Sequence, residues 1–275
     1  MLSYRHSFHA GNHADILKHC VYLNCLGYLQ RKDTGLRVID THSGAGAYAL
    51  TSEKEKNAEY LAAIARLYDI SGAPPVVDYY LNAIRAFNRN ALKYYPGSPQ
   101  LAANLLRPQD EAYFFELHSS DYRLLNTRFR QSKRIHSSNT DGFAGLKRLL
   151  PSPTRRALVL IDPSYEIKSD YRLVVDALVQ AHKRMATGCF LLWYPVVDRG
   201  TINSLEKQLC GSEMSNIQLF ELGISPDNHG HGMTASGMIA VNAPWTLREQ
   251  MQTALPWLAG QLSATPQFRI EQLKD

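Results

Sequence analysis

The chain has 275 residues, 45% of them hydrophobic, a formal net charge of +5 and a pI of about 8.9. That is enough apolar content for a full core, and a mildly basic balance that suits a nucleic-acid partner without diagnosing one. No apolar run approaches the roughly 18 residues of a membrane span, and the start, Met1-Leu2-Ser3-Tyr4-Arg5-His6, lacks the apolar centre of a signal peptide. No membrane contact and a cytoplasmic location are therefore expected.

Residues 1–11 read as an extended polar-aromatic arm. Asn12 is an N-cap candidate for a helix running to about 30, with Ile16, Cys20, Leu23 and Leu26 on one apolar face, widened by Leu17 and Val21. His6, His9, His13 and His19 are dense, but their spacing fits no zinc signature and no paired cysteines accompany them, so no metal is expected. Cys20, Cys25, Cys189 and Cys210 show no C-x-x-C spacing and read as reduced thiols.

The first strand, about 37–40, runs into Asp40-Thr41-His42-Ser43-Gly44-Ala45-Gly46. A strand opening into a glycine-rich turn is how doubly wound α/β folds hold nucleotide-like cofactors. The turn equally serves as a ligand-free passage from strand to helix. Gly44-x-Gly46-x-x-Ala49 fits the dinucleotide fingerprint, but the acid expected about 20 residues on is missing. That argues against a nicotinamide dehydrogenase. Asp40, placed before the glycines, suits a cationic sulfonium better than a pyrophosphate.

The next convincing strand, Ala112 to Phe115, comes too late for one βαβ crossover. The surplus holds two helical patterns, about 57–69 and 76–92, and a return loop from Tyr94 to Pro99. We read 51–98 as a small helical subdomain inserted after the first strand, within a single domain spanning 1–275.

The core pattern then resumes. The second strand ends in Glu116, and a third, near 134–138, leads to Asn139-Thr140-Asp141-Gly142. The apolar run Leu158 to Ile161 ends in Asp162-Pro163-Ser164-Tyr165. In that tetrapeptide the Asp162 carboxylate and Pro163 carbonyl can accept from an exocyclic amine, and Tyr165 can stack on a ring. An ordinary strand-ending turn fits the same residues. A fifth strand covers 189–193, and two late strands, about 217–222 and 237–242, flank a polar loop.

In this order the two motifs resemble the S-adenosylmethionine-dependent amino-methyltransferases. The wider match, Tyr4 to Asp15, Leu17-Lys18-His19, Tyr94 to Pro99, Trp193 to Val196 and Gly232 to Met238, resembles the RlmJ family over about residues 4–260. That family methylates the N6 amine of one adenine in 23S ribosomal RNA.

The resemblance implies a Rossmann-like class I sheet of seven strands whose last hairpin is antiparallel. It implies S-adenosyl-L-methionine as cofactor, S-adenosyl-L-homocysteine as product, and 23S rRNA as partner of a monomeric chain. Carried over by position, His19, His42, Gly44, Ser98, Glu116, Asp141, Gly142 and Asp162 meet the cofactor. Asp162, Pro163, Tyr165 and Lys18 support transfer, and Tyr4, His6 and Tyr165 meet the RNA. The family writes D-P-P-Y where this chain has Ser164, which puts the loop's rigidity in doubt more than its contacts.

Rival readings are a DNA adenine methyltransferase, though no separate target-recognition domain is evident, and a protein-glutamine methyltransferase, which usually has Asn in place of Asp162. A non-catalytic RNA-binding assembly factor is a rival of another class, opposed by the acids at 40, 116, 141 and 162.

Overall fold

The computed structural model describes residues 6–50, 59–227 and 232–275. Tyr4, and with it most of the arm before His6, lies outside them.

After a 3-10 turn at His6–Phe8 comes α1, His13–Leu29. Asn12 caps it, its side chain accepting from the amides of Ala14 and Asp15. The helix is buried on nearly every face as far as Leu26, and the buried set includes Asp15, Lys18 and His19. Burial of such groups is tolerable only where charges meet opposite charges, and the site below supplies them.

The strands are β1 Arg37–Asp40, β2 Ala47–Ala49, β3 Tyr94–Pro96, β4 Glu111–Phe115, β5 Ile135–Ser138, β6 Ala157–Ile161, β7 Cys189–Val196, β8 Ile217–Gly223, β9 Ala235–Val241 and β10 Gln267–Lys274. The remaining helices are α2 Ile64–Leu67, α3 Pro75–Asn88, α4 Ser98–Leu105, α5 Ser119–Phe129, α6 Gly142–Leu149, α7 Asp170–Arg184, α8 Arg199–Cys210 and α9 Leu247–Leu262.

The main sheet has eight strands in the order β10-β8-β9-β7-β6-β1-β4-β5. This corrects the expected seven: β10, Gln267–Lys274, adds an antiparallel edge beside β8. Phe268 and Ile270 alternate with polar residues, Leu273 falls after a register shift, and all three are at most half-buried. The pattern is that of an edge strand and gives a weaker signal than the buried strands. β8 and β9 form the expected antiparallel hairpin. β6 is buried throughout and flanked by parallel partners, which accounts for its unbroken apolar run Ala157 to Ile161.

Register carries the acids to one edge. Asp40 ends β1 level with Phe114 on one side and Leu160 on the other. Glu116 and Asp162 therefore each stand two residues past that level, on the strands flanking β1. The chain goes from β1 to one neighbour and returns later to the other, so this is the switch point where open α/β sheets bind ligands.

Two local expectations change. The glycine turn leads not into a helix but into β2, which pairs antiparallel with β3. The Gly97 amide donates to the Gly46 carbonyl at 2.9 Å. The ribbon thus closes off the intervening chain and delivers it to α4, the helix that follows the turn in space. The helical pattern at 57–69 yields a 3-10 turn, Glu59–Ala62, and the short α2, separated by an irregular Ala63 at φ −129°, ψ −99°. α3 stops at Asn88, whose side chain accepts from the amides of Lys93 and Tyr94 and turns the chain into β3.

Candidate functional site

A cleft of about 210 Å³ opens at the carboxyl ends of the parallel strands. His6, Lys18, His19, His42, Gly44, Ser98, Glu116, Asp141, Gly142, Asp162 and Pro163 all line it. Residues spread from His6 to Pro163 are gathered because the sheet places these strand ends, and the first half of α1, on the same side.

The glycine turn is held by an acid. The Gly44 amide donates to Glu116 Oε2 at 2.7 Å, and the His118 amide donates to Oε1 at 2.6 Å. Each oxygen keeps a lone pair for a ligand hydroxyl. Burial pushes the Glu116 carboxyl above its usual range, and these two amides oppose that. Gly44 has φ +59°, and a Cβ there would overlap the Tyr48 hydroxyl. Asp141 is the N-cap of α6, accepting from the amides of Phe143 and Ala144 at 3.0 and 3.2 Å. A Cβ on Gly142 would stand 2.7 Å from Thr41 Cα, so only glycine lets α6 begin against β1's turn.

A charge relay joins α1 to the end of β6. Lys18 Nζ lies 2.6 Å from Asp162 Oδ2 and 2.8 Å from Asp15 Oδ1. Asp15 Oδ2 accepts from His6 Nε2 and from the Gly11 amide, both at 2.9 Å. Burial tends to lower the Lys18 pKa, but the two carboxylates outweigh it and carry it above the ordinary lysine range. Burial also pushes the Asp162 carboxyl up, with Lys18 opposing. The pairing fixes one Asp162 oxygen on lysine in a side chain that lines the cleft.

Ser98 Oγ donates to Asp40 Oδ2 at 2.6 Å. Asp40 is fully buried, and burial, followed by repulsion from Asp162, raises its pKa to about 7 against the Ser98 hydrogen bond. A raised carboxyl contributes stability that is complete below about pH 4, its unfolded value. That contribution is lost as pH rises through about 7. Asp40→Asn should therefore flatten part of the fall in stability across this window, as read by urea denaturation at several pH values. An unchanged slope would show that Asp40 does not titrate there.

His42 Nδ1 lies 2.8 Å from Thr41 Oγ1, and its ring meets Phe143 edge-on at 5.1 Å. Burial lowers the His42 pKa to about 4, so it is neutral near neutral pH. His19 is likewise neutral, its pKa lowered to about 3 by burial.

Tyr165 stands beside the cleft rather than in its wall. Its hydroxyl donates to the Trp193 carbonyl at 2.6 Å, and its ring packs on Tyr171 and Trp193 at 4.5 and 5.8 Å. Its φ of +51° turns the chain sharply after Ser164. Trp193 Nε1 donates to Ser236 Oγ at 2.8 Å. The Trp193–Val196 and Gly232–Met238 motifs thus meet behind the Asp162 turn as paired strands β7 and β9. Tyr4 lies outside the described residues. Asp15 and Phe143 belong to the site without having been singled out. Asp15 sat unassigned within the N-terminal motif, and Phe143 follows Asp141-Gly142 directly.

The family model described as "Ribosomal RNA large subunit methyltransferase D, RlmJ" matches residues 33–271. The chain is 48% identical over 264 residues to "Ribosomal RNA large subunit methyltransferase J" of Escherichia coli K12, covering 95% of this chain and 94% of that one. It is 48% identical over 261 residues to the protein of the same name from Haemophilus influenzae, covering 94% and 93%. A crystal structure of a Legionella pneumophila protein superposes with TM-score 0.89 at 35% identity, over 96% and 98% of the two chains. The match of the family model over most of the length, and of two relatives along nearly all of it, places this chain in the RlmJ family of ribosomal RNA large subunit methyltransferases.

Proposed function

We propose that the chain uses S-adenosylmethionine to methylate the N6 amine of one adenine in 23S ribosomal RNA. The observation that carries this is the Lys18–Asp162 pair at the end of β6, set in the same cleft as Glu116 and Asp141. In this reading the whole chain is one cytoplasmic, monomeric methyltransferase domain with 51–98 as its helical insert.

The residues present suit the cofactor. Glu116 would accept from the cofactor's ribose hydroxyls, and Asp141 from the cofactor's own adenine amine. Gly44 and Gly142 leave the backbone bare for close approach, Phe143 offers a ring, and His19 presents a buried Nε2 with no hydrogen-bond partner among the described residues. His42, Ser98 and Asp162 complete the wall. When bound, the cofactor supplies an electrophilic methyl on a sulfonium.

The adenine amine is a poor nucleophile because its lone pair is delocalised into the ring. Asp162, with one oxygen tied to Lys18, accepts one N6 hydrogen on the other oxygen. The Pro163 carbonyl accepts the second, and the nitrogen is drawn toward a pyramidal shape with its lone pair free. Lys18 keeps the carboxylate in place. Holding the two reactants aligned offsets roughly 7–11 kcal/mol of the barrier. Asp162, raised in pKa by burial, is suited to take the proton released afterwards.

The target base leaves its stack at a cost of a few kcal/mol. Tyr165 braces the Asp162 turn through Trp193, beside the cleft that receives the base. Tyr4 and His6 meet the RNA.

The test is incubation with labelled S-adenosylmethionine and separate 23S rRNA, duplex DNA and protein substrates. Label in RNA alone is expected. Label in DNA or protein would replace this reading with one of its rivals.

Glu116→Ala should weaken S-adenosylhomocysteine binding by about 1.5–3 kcal/mol, since a charged acceptor is lost. It also frees the Gly44 amide. Calorimetry decides it: an unchanged dissociation constant would mean that β4 does not meet the ribose.

A further inference from the structure

His19 has one ring nitrogen accounted for and one not. The side chain, 1% exposed, lines the cleft. Its Nδ1 lies 2.7 Å from Tyr95 Oη, while Nε2 has no hydrogen-bond partner among the described residues. Tyr95 Oη lies 3.1 Å from Tyr80 Oη. All three side chains are buried, and the His19 and Tyr95 rings stack at 5.6 Å. Tyr80 comes from α3 and Tyr95 from β3, so both belong to the chain that leaves after the glycine turn.

We propose that Tyr95, backed by Tyr80, is a positioning residue that fixes His19 as the Nε2–H tautomer and so makes it a donor for the carboxylate of the cofactor's methionine half. The proposal rests on the cofactor reading given above and extends it to one group of that cofactor.

In this arrangement the Tyr95 hydroxyl donates to His19 Nδ1 across 2.7 Å, a separation that suits either direction. With the Tyr95 proton committed, the Tyr80 hydroxyl donates to the Tyr95 oxygen. Neutral imidazole carries a single N–H, and it stands on Nε2. Burial keeps the ring neutral, with Lys18 and His6 adding to that effect and Asp15 opposing it.

The chemistry of the wall selects the ligand group. Carboxylates at 116 and 141 suit donors, namely ribose hydroxyls and an amine. An Nε2–H needs an acceptor, and an ammonium cannot supply one. Gly97 and Ser98, at the N-terminus of α4, line the same cleft and add the positive end of a helix, which favours a carboxylate.

The test is Tyr95→Phe, which keeps the ring and its packing but removes the donor. Calorimetry should show S-adenosylhomocysteine affinity falling about fivefold, the size of the neutral Tyr95–His19 hydrogen bond that no longer holds the donor in place. Affinity for 5′-methylthioadenosine, which lacks the amino-acid half, should be unchanged. In ¹⁵N-histidine spectra the wild-type His19 should carry its proton on Nε2. Unchanged affinity for both ligands, or equal losses for both, would overturn the proposal, as would a wild-type proton on Nδ1. Wild-type protein that binds neither ligand would instead overturn the cofactor reading beneath it.

Discussion

Asp162→Ala should abolish methyl transfer while leaving S-adenosylhomocysteine binding largely intact. Asp162 is the acceptor for the N6 amine and the candidate for its proton, so the variant loses both the alignment of the nucleophile and the base. General base loss alone costs about 10²–10⁴-fold, and misalignment adds to it. The fold should survive. Burial already disfavours the Asp162 carboxylate, and Lys18 keeps its contact with Asp15 at 2.8 Å. A transfer assay beside calorimetry settles the matter, and turnover at the wild-type rate would remove Asp162 from the chemistry.

Lys18→Met should cost both stability and activity. Lys18 Nζ sits between two carboxylates, Asp15 at 1% exposure and Asp162 at the end of β6. Removing one partner of a buried ion pair costs about 3–5 kcal/mol, because the remaining charges lose their compensation. Adding Asp15→Asn should recover part of that stability, since one stranded carboxylate disappears, but it should not recover transfer, because Asp162 still lacks its lysine. Urea denaturation of the single and double variants, with transfer measured on each, separates the two effects. A Lys18→Met protein as stable as wild type would show that the carboxylates do not depend on the lysine.

Much of this was legible in the sequence because the informative residues lie at strand ends. Asp40 ends a buried strand, Glu116 and Asp162 each follow one, and Asp141 comes three residues after the less buried β5. Parallel register then carries them to one edge without further instruction. Asn12 was readable as a cap because a short polar side chain before an apolar helical period has one obvious use.

What was not legible depended on contacts distant in sequence. That β2 and β3 pair, bringing the ends of the intervening chain together and handing the glycine turn to α4, follows from three-residue strands too short to show a period. The bond of Tyr165 to Trp193 depends on how the turn after β6 packs on β7. Asp15 reads as an ordinary first-turn acid until α1 is found buried, when its pairing with Lys18 and His6 becomes necessary. β10 was missed because an edge strand needs only one covered face.

This cleft places a methyl group on adenine N6 in 23S rRNA. The most direct measurement is to incubate unmodified 23S rRNA with the protein and labelled S-adenosylmethionine, digest the RNA to nucleosides and separate them. Label is expected in N6-methyladenosine with wild-type protein and not with Asp162→Ala. Label in any other nucleoside, or equal label with both proteins, would contradict it.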